Sequence, residues 1–141
     1  FTGCRAVSYC LMDNHFHIII KVNDNAEIVT QSFSNLFNSY AKAFNKQENR
    51  TGSLFEKHFK RIKLSDEIYL KNLILYVHLN PNHHLDLDYK KYTLSSYQSI
   101  ISDKETRLER TEVVALFGGK ENFIFSHNER ADFLTERHTF E

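Results

Sequence analysis

Tryptophan is absent from this 141-residue sequence, cysteine occurs only twice, and the formal net charge is zero. Each shortage excludes something. Aromatic packing has to come from 12 Phe and 7 Tyr, an ordinary load for a globular chain. Cys4 and Cys10 fall on one extended stretch, roughly 20 Å apart at ~3.3 Å per residue, too far to bridge each other. That usage suits a reducing cytoplasm. Zero net charge gives no global attraction to a polyanion. No apolar run approaches the ~20 residues of a membrane span, so no membrane partner is expected. Repeats and low-complexity tracts are missing too, and the length suits one domain with a single core. No signal peptide is visible within these residues, and with Phe1 in place of Met the sequence is expected to begin inside a longer one.

Charge is unevenly distributed. Residues 41–63 carry Lys42, Lys46, Arg50, Lys57, Lys60, Arg61 and Lys63 against Glu48 and Glu56, whereas residues 100–141 hold nine acids and six bases. A basic segment beside a neutral remainder suits a local phosphate-binding surface. Residues 54–64 read as a strand in which Lys57, Phe59, Arg61 and Lys63 share one parity and Lys60 the other. Cations interleaved with Phe55 and Phe59 offer both phosphate contacts and stacking faces for bases. An edge strand protected by lysines is the alternative.

Residues 5–22 contain two apolar runs around Asp13-Asn14, a pair suited to the positive backbone angles of a tight hairpin turn. Alternation puts His15 and His17 on one face of the second strand, with Phe16, Ile18 and Ile20 on the other. Opposite pairing would set Met12 against His15 and Cys10 against His17. Two imidazoles so placed can grip one metal ion.

Helical periodicity follows over roughly 26–48, where Ile28, Phe33, Leu36, Phe37, Tyr40 and Phe44 form a stripe expected to pack on a sheet. Ser65 is expected to cap a second helix, Asp66 to Asn80, ended by Pro81. On it Tyr76 and Asn80 share one face and His78 points about 200° away at ~100° per residue. Residues 82–99 are looser, with Tyr89, Tyr92 and Tyr97 as anchors. A short helix over 112–117 stops at Gly118-Gly119, and a last one spans about 120–135.

A same-face histidine pair, a Tyr-x-x-x-Asn helix face, a basic aromatic segment and no acidic metal cluster belong together. Tyr9-Cys10-Leu11-Met12-Asp13-Asn14-His15-Phe16-His17, then Gly52-Ser53-Leu54-Phe55-Glu56, then Tyr76-Val77-His78-Leu79-Asn80-Pro81 resemble the HUH-type single-tyrosine transposases. The branch is that of the REP-associated tyrosine transposases and their insertion-sequence (IS200-like) relatives. Tyr92-Thr93-Leu94-Ser95-Ser96-Tyr97 is a weaker match. The motifs run in order over residues 5 to about 100. Asp13 stands where the family commonly has Pro, Phe55 and Leu94 stand where it has Trp, and its leading strand and helix have no counterpart here.

That resemblance implies an α+β fold: an antiparallel sheet of ferredoxin or RNA-recognition type, helices on one face, and a helical tail. Residues 1–100 would be the nuclease domain and 101–141 a helical extension of it. His15 and His17 would hold a divalent metal, Mg²⁺ or Mn²⁺, with Asn80 completing the site. Neutral ligands favour Mn²⁺. Tyr76 would be the nucleophile, cutting single-stranded DNA beside a hairpin and rejoining it through a 5′-phosphotyrosine. The DNA would lie on Lys57, Phe59, Lys60, Arg61 and Lys63, with Lys42, Lys46 and Arg50. A homodimer is compatible, with Tyr76 serving its own metal or its partner's. Two alternatives compete: a relative that binds hairpins without cutting them, and a zinc site of Cys10, His15 and His17.

Overall fold

The computed structural model describes residues 3–56 and 59–140, with side chains described as far as 132. Among the described residues the architecture is α+β, a two-stranded antiparallel sheet with five helices. Among the described residues no helix is long and apolar enough to cross a membrane. The chain divides into two compact units, one of Phe1–Cys4 with Val22–Lys63 and one of Arg5–Lys21 with Leu64–Glu141.

The second unit carries residues 5–21 of the hairpin formed by β1 (Cys4–Leu11) and β2 (Phe16–Val22). Met12 N–H donates to the His15 carbonyl at 2.8 Å across the turn. The expected positive-φ turn is not formed, since neither Asp13 nor Asn14 has positive φ. The regular strands stop at Leu11 and resume at Phe16, but the Met12–His15 bond pairs those two residues across Asp13-Asn14, the expected position of the turn. Ile19, two residues beyond His17, is buried while Ile18 is exposed. On that same parity His17 is half-buried, while His15 and Lys21 are exposed. Beyond β1 a short antiparallel bridge joins Cys10 to Ser95. It is flanked by Leu11 N–H to the Leu94 carbonyl at 2.8 Å and Ser96 N–H to the Tyr9 carbonyl at 3.0 Å.

Helix α2 (Glu67–Leu85) lies at the centre of this unit. Its cap is Asp66 rather than Ser65: Oδ1 accepts from Ile68 N at 2.7 Å and from Tyr69 N at 3.4 Å. Ile74, Leu75, Val77 and Leu79 are buried, each contributing about 1.5–3 kcal/mol of apolar transfer when fully covered. The expected stop at Pro81 does not occur. Proline removes the N–H that the Val77 carbonyl would accept, and the Asn80 side chain stands in, with Nδ2 3.4 Å from that oxygen. The helix continues until Asp86, in left-handed conformation (φ 52°), turns its N–H back to the Pro81 carbonyl. After α3 (Tyr97–Ile101) and α4 (Arg110–Leu116), Gly118 and Gly119 take φ of 79° and 127°. Those angles favour glycine and turn the chain into α5 (Lys120–Phe140), which packs along α2 and runs past its expected end.

The first unit is built on α1 (Ala26–Gln47), capped by Asn25, whose Oδ1 accepts from Glu27 N at 2.8 Å. The described residues of 54–64 form no strand. Their aromatics pack on the α1 stripe instead: Phe55 lies 5.3 Å from Phe37 and 6.1 Å from Tyr40, and Phe59 lies 6.4 Å from Phe33. Ring burial rather than backbone pairing fixes this stretch.

Candidate functional site

Five rings of the second unit close a circuit. His15 and His17 lie 5.3 Å apart between ring centroids and stand nearly perpendicular. His17 is 5.7 Å from Tyr76, Tyr76 is 5.9 Å from His83, His83 is 6.2 Å from His84, and His84 is 5.8 Å from His15. The hairpin supplies two members and α2 the other three. On α2 the spacing of Tyr76, Asn80, His83 and His84 stacks them over successive turns. The sequence pattern marked the first two. His83 and His84 were missed because they lie beyond Pro81, where the helix was expected to have ended.

The ring nitrogens can be assigned. His15 Nδ1 is 2.7 Å from Asn14 Oδ1. An amide oxygen only accepts, so Nδ1 donates, and in the neutral ring Nε2 keeps its lone pair. A carbonyl holding one ring nitrogen so that the other faces an ion is the usual support of a ligating histidine. Burial, and then the neighbouring His15 and His84, hold His17 below its ordinary pKa, so at neutral pH it offers a lone pair. Asn80 is fully buried. Its Nδ2 donates to the Tyr76 carbonyl at 3.0 Å, while Oδ1 has no hydrogen-bond partner among the described residues. An orphaned carbonyl oxygen one turn from Tyr76 fits the role of an oxygen ligand. Neutral imidazole nitrogens and an amide oxygen are donors of the kind that Mn²⁺ or Mg²⁺ accepts.

No group of three or more His, Cys, Asp or Glu among the described residues is arranged to hold a metal. Cys10, His15 and His17 therefore form no such set. Burial also pushes the Cys10 thiol up to about 11, so it stays protonated at neutral pH.

A second polar cluster was missed outright. His78, fully buried, has Nε2 3.0 Å from Ser8 Oγ and 2.8 Å from Ser96 Oγ, and Nδ1 2.9 Å from His127 Nε2. His127 Nδ1 lies 2.7 Å from the Phe123 carbonyl. That carbonyl can only accept, so His127 Nδ1 donates and its Nε2 accepts from His78 Nδ1, leaving His78 Nε2 to accept from a serine hydroxyl. Burial holds both imidazoles below their ordinary pKa, His127 at about 4. The connectivity is that of a nucleophile, a base and an orienting group. However, Ser8, His78, Ser96 and His127 are all sealed from solvent. This cluster is core structure.

The cations of the expected DNA surface all belong to the first unit. Lys42, Lys46, Arg50, Phe59, Lys60, Arg61 and Lys63 are exposed, and Lys57 lies outside the described residues. Two of the cations have structural duties: Arg50 Nη1 donates to Asn45 Oδ1 at 2.7 Å, and Arg61 Nη1 to Thr30 Oγ1 at 2.7 Å.

Comparison of the chain with protein-family models, with curated proteins and with solved structures finds no match.

Proposed function

We propose that this protein is a single-tyrosine nuclease and strand transferase of the HUH type, acting on single-stranded DNA beside a hairpin. The observation that carries this reading is the 5.7 Å approach of His17 to Tyr76. It joins the His-x-His strand to the Tyr-x-x-x-Asn helix face across the 59 positions from His17 to Tyr76. On this reading the β1–β2 hairpin and its bridge to Ser95 are the centre of a ferredoxin-type sheet.

A divalent ion held by His15, His17 and Asn80 would supply Lewis-acid polarisation of the scissile phosphate. The remaining chemistry belongs to the chain. Tyr76 Oη attacks phosphorus, forming the tyrosyl O–P bond as the P–O3′ bond breaks. The phenol gives up its proton and the departing 3′ oxygen takes one, so the exchange is proton-neutral overall. One phosphoester replaces another, and a second 3′-hydroxyl can reverse the step onto a new strand without ATP. Tyr76, half exposed on α2, is accessible to a strand. In the first unit, the exposed Lys42, Lys46, Lys60 and Lys63 offer counter-charges of the kind a phosphate backbone takes up.

The test is incubation with labelled hairpin-bearing single-stranded DNA and Mn²⁺, followed by denaturing electrophoresis. Wild type is expected to form a covalent protein–DNA band and a shortened strand. Tyr76→Phe keeps the ring and is expected to bind DNA normally while giving neither. An adduct that persists in Tyr76→Phe places the nucleophile elsewhere. Binding with no cleavage by wild type leaves a hairpin-binding protein.

A further inference from the structure

The circuit of rings borders a small cavity of about 110 Å³, lined by Asn72, Tyr76, Leu79 and His83 of α2 and by Arg130 of α5. Arg130 is held there by a hydrogen bond of 2.9 Å from Nη2 to Asn72 Oδ1. Asn72 precedes Tyr76 by one helical turn, so the residue that orients the guanidinium shares a helix face with the phenol. A guanidinium carries five N–H donors in a planar fork, and the bond to Asn72 engages one of its terminal nitrogens. Arg, Tyr, His and Asn side chains around several water volumes (about 30 Å³ each) make a donor-rich recess. No carboxylate lines it. The larger cavity of about 380 Å³ is lined by Asp88 and Asp132 beside Lys90, and its two carboxylates oppose an anion.

We infer that the recess is a phosphate site, with Arg130 as the group that grips the phosphate beside Tyr76. This rests on the proposed function for its substrate, the phosphodiester of single-stranded DNA, but not for its chemistry, since any phosphate monoester or diester of this size presents the same oxygens. Arg is suited to the task because its fork meets two phosphate oxygens at once, which a lysine ammonium does not. The site gives the C-terminal helix a role: among the lining residues, α5 alone supplies a cation, the Arg130 guanidinium, beside the tyrosine. Charge gathering on the equatorial oxygens as Tyr76 attacks is then met by a fixed cation.

Two arms test this on the full chain. In the first, inorganic phosphate is titrated while the NMR signals of Tyr76 and His83 are followed, in wild type, Arg130→Gln and Arg130→Lys. Wild type is expected to shift saturably, Arg130→Gln to weaken binding about tenfold or more, and Arg130→Lys to recover part of it. Arg130 is exposed, so melting temperatures should stay within about 3 °C of wild type. Absence of phosphate-induced shifts at these residues in wild type, or equal affinity in Arg130→Gln, overturns the inference whether or not the protein cuts DNA. In the second, cleavage of hairpin-bearing DNA by Arg130→Gln is expected to slow by about 10²-fold, with strand affinity changed far less. Cleavage at the wild-type rate overturns the role in catalysis. Phosphate binding that depends on Arg130 in a wild type that never forms an adduct keeps the site and defeats the proposed function.

Discussion

The side-chain amide of Asn80 stands 3.4 Å from the Val77 carbonyl, the acceptor that Pro81 leaves without its usual backbone donor. The helix runs on through Pro81 to Leu85, and that further turn carries His83 and His84 of the ring circuit. Asn80 thus has two ends with separate duties: Nδ2 repairs the helix, and Oδ1 is left to face other chemistry.

Asn80→Asp separates those duties. The change removes the donor to Val77 and places carboxylate oxygens near backbone carbonyls, so the metal-free protein is expected to lose about 2–4 kcal/mol. If position 80 ligates, Mn²⁺ then binds the folded variant more tightly than wild type, because the added oxygen is anionic. Its melting temperature should rise more steeply with Mn²⁺ than the wild-type one. Equal Mn²⁺ responses in the two proteins would remove residue 80 from the ligand set.

What the sequence disclosed and what it hid follow a physical division. The His15–His17 parity and the Tyr76–Asn80 spacing are local periodicities, set by two residues per pleat and 3.6 per helical turn, and were readable. The Asn80 bond that outweighs the proline punctuation is a particular side-chain geometry, so His83 and His84 stayed hidden. The His78–His127 pair spans 49 residues, and no local pattern announces which helices will pack. Residues 54–64 were misread for a related reason. Their mixed basic and aromatic alternation suits a strand, but Phe55 and Phe59 gain more by covering the rings of α1.

The basic surface gives a prediction on salt. Lys60→Gln with Lys63→Gln removes two exposed cations without touching the bonds of Arg50 and Arg61. Each lost phosphate contact should flatten the slope of log affinity against log salt by about 0.7 for single strands. Equilibrium binding at several salt concentrations measures it, and an unchanged slope places the DNA away from residues 60–63.

The two serines facing His78 should not be equivalent. Ser96 Oγ also accepts the Tyr9 backbone N–H at 2.9 Å, whereas Ser8 Oγ meets His78 at 3.0 Å and Ser96 only at 3.5 Å. Ser96→Ala leaves a β1 amide unsatisfied in the core and should cost about 2–3 kcal/mol. Ser8→Ala leaves Ser96 to serve Nε2 and should cost about 1 kcal/mol or less. Urea denaturation ranks them, and the reverse order would mean that Ser8 is the principal donor.

Acid should expose the buried histidines through stability. His127 is held at about 4 in the folded protein against 6.5 for the free side chain, chiefly by burial. His78 is displaced in the same direction by burial and by His127. A depressed folded pKa means that, as pH falls below about 6.5, the unfolded chain takes up a proton that the folded chain refuses. The contribution is complete above that pH and is lost progressively towards about 4, where folded His127 protonates as well. Each such histidine removes about 1.4 kcal/mol per pH unit within the window. Unfolding free energies measured by urea titration from about pH 7.5 to about pH 5 should therefore fall steeply once below the free-histidine pKa. Over the same range the NMR signals of the His127 ring should stay those of the neutral Nδ1–H tautomer, since the Phe123 carbonyl holds that proton at 2.7 Å. A His127 ring that titrates near 6.5, or stability that rises on acidification through this window, would break the directional chain from Ser96 to Phe123.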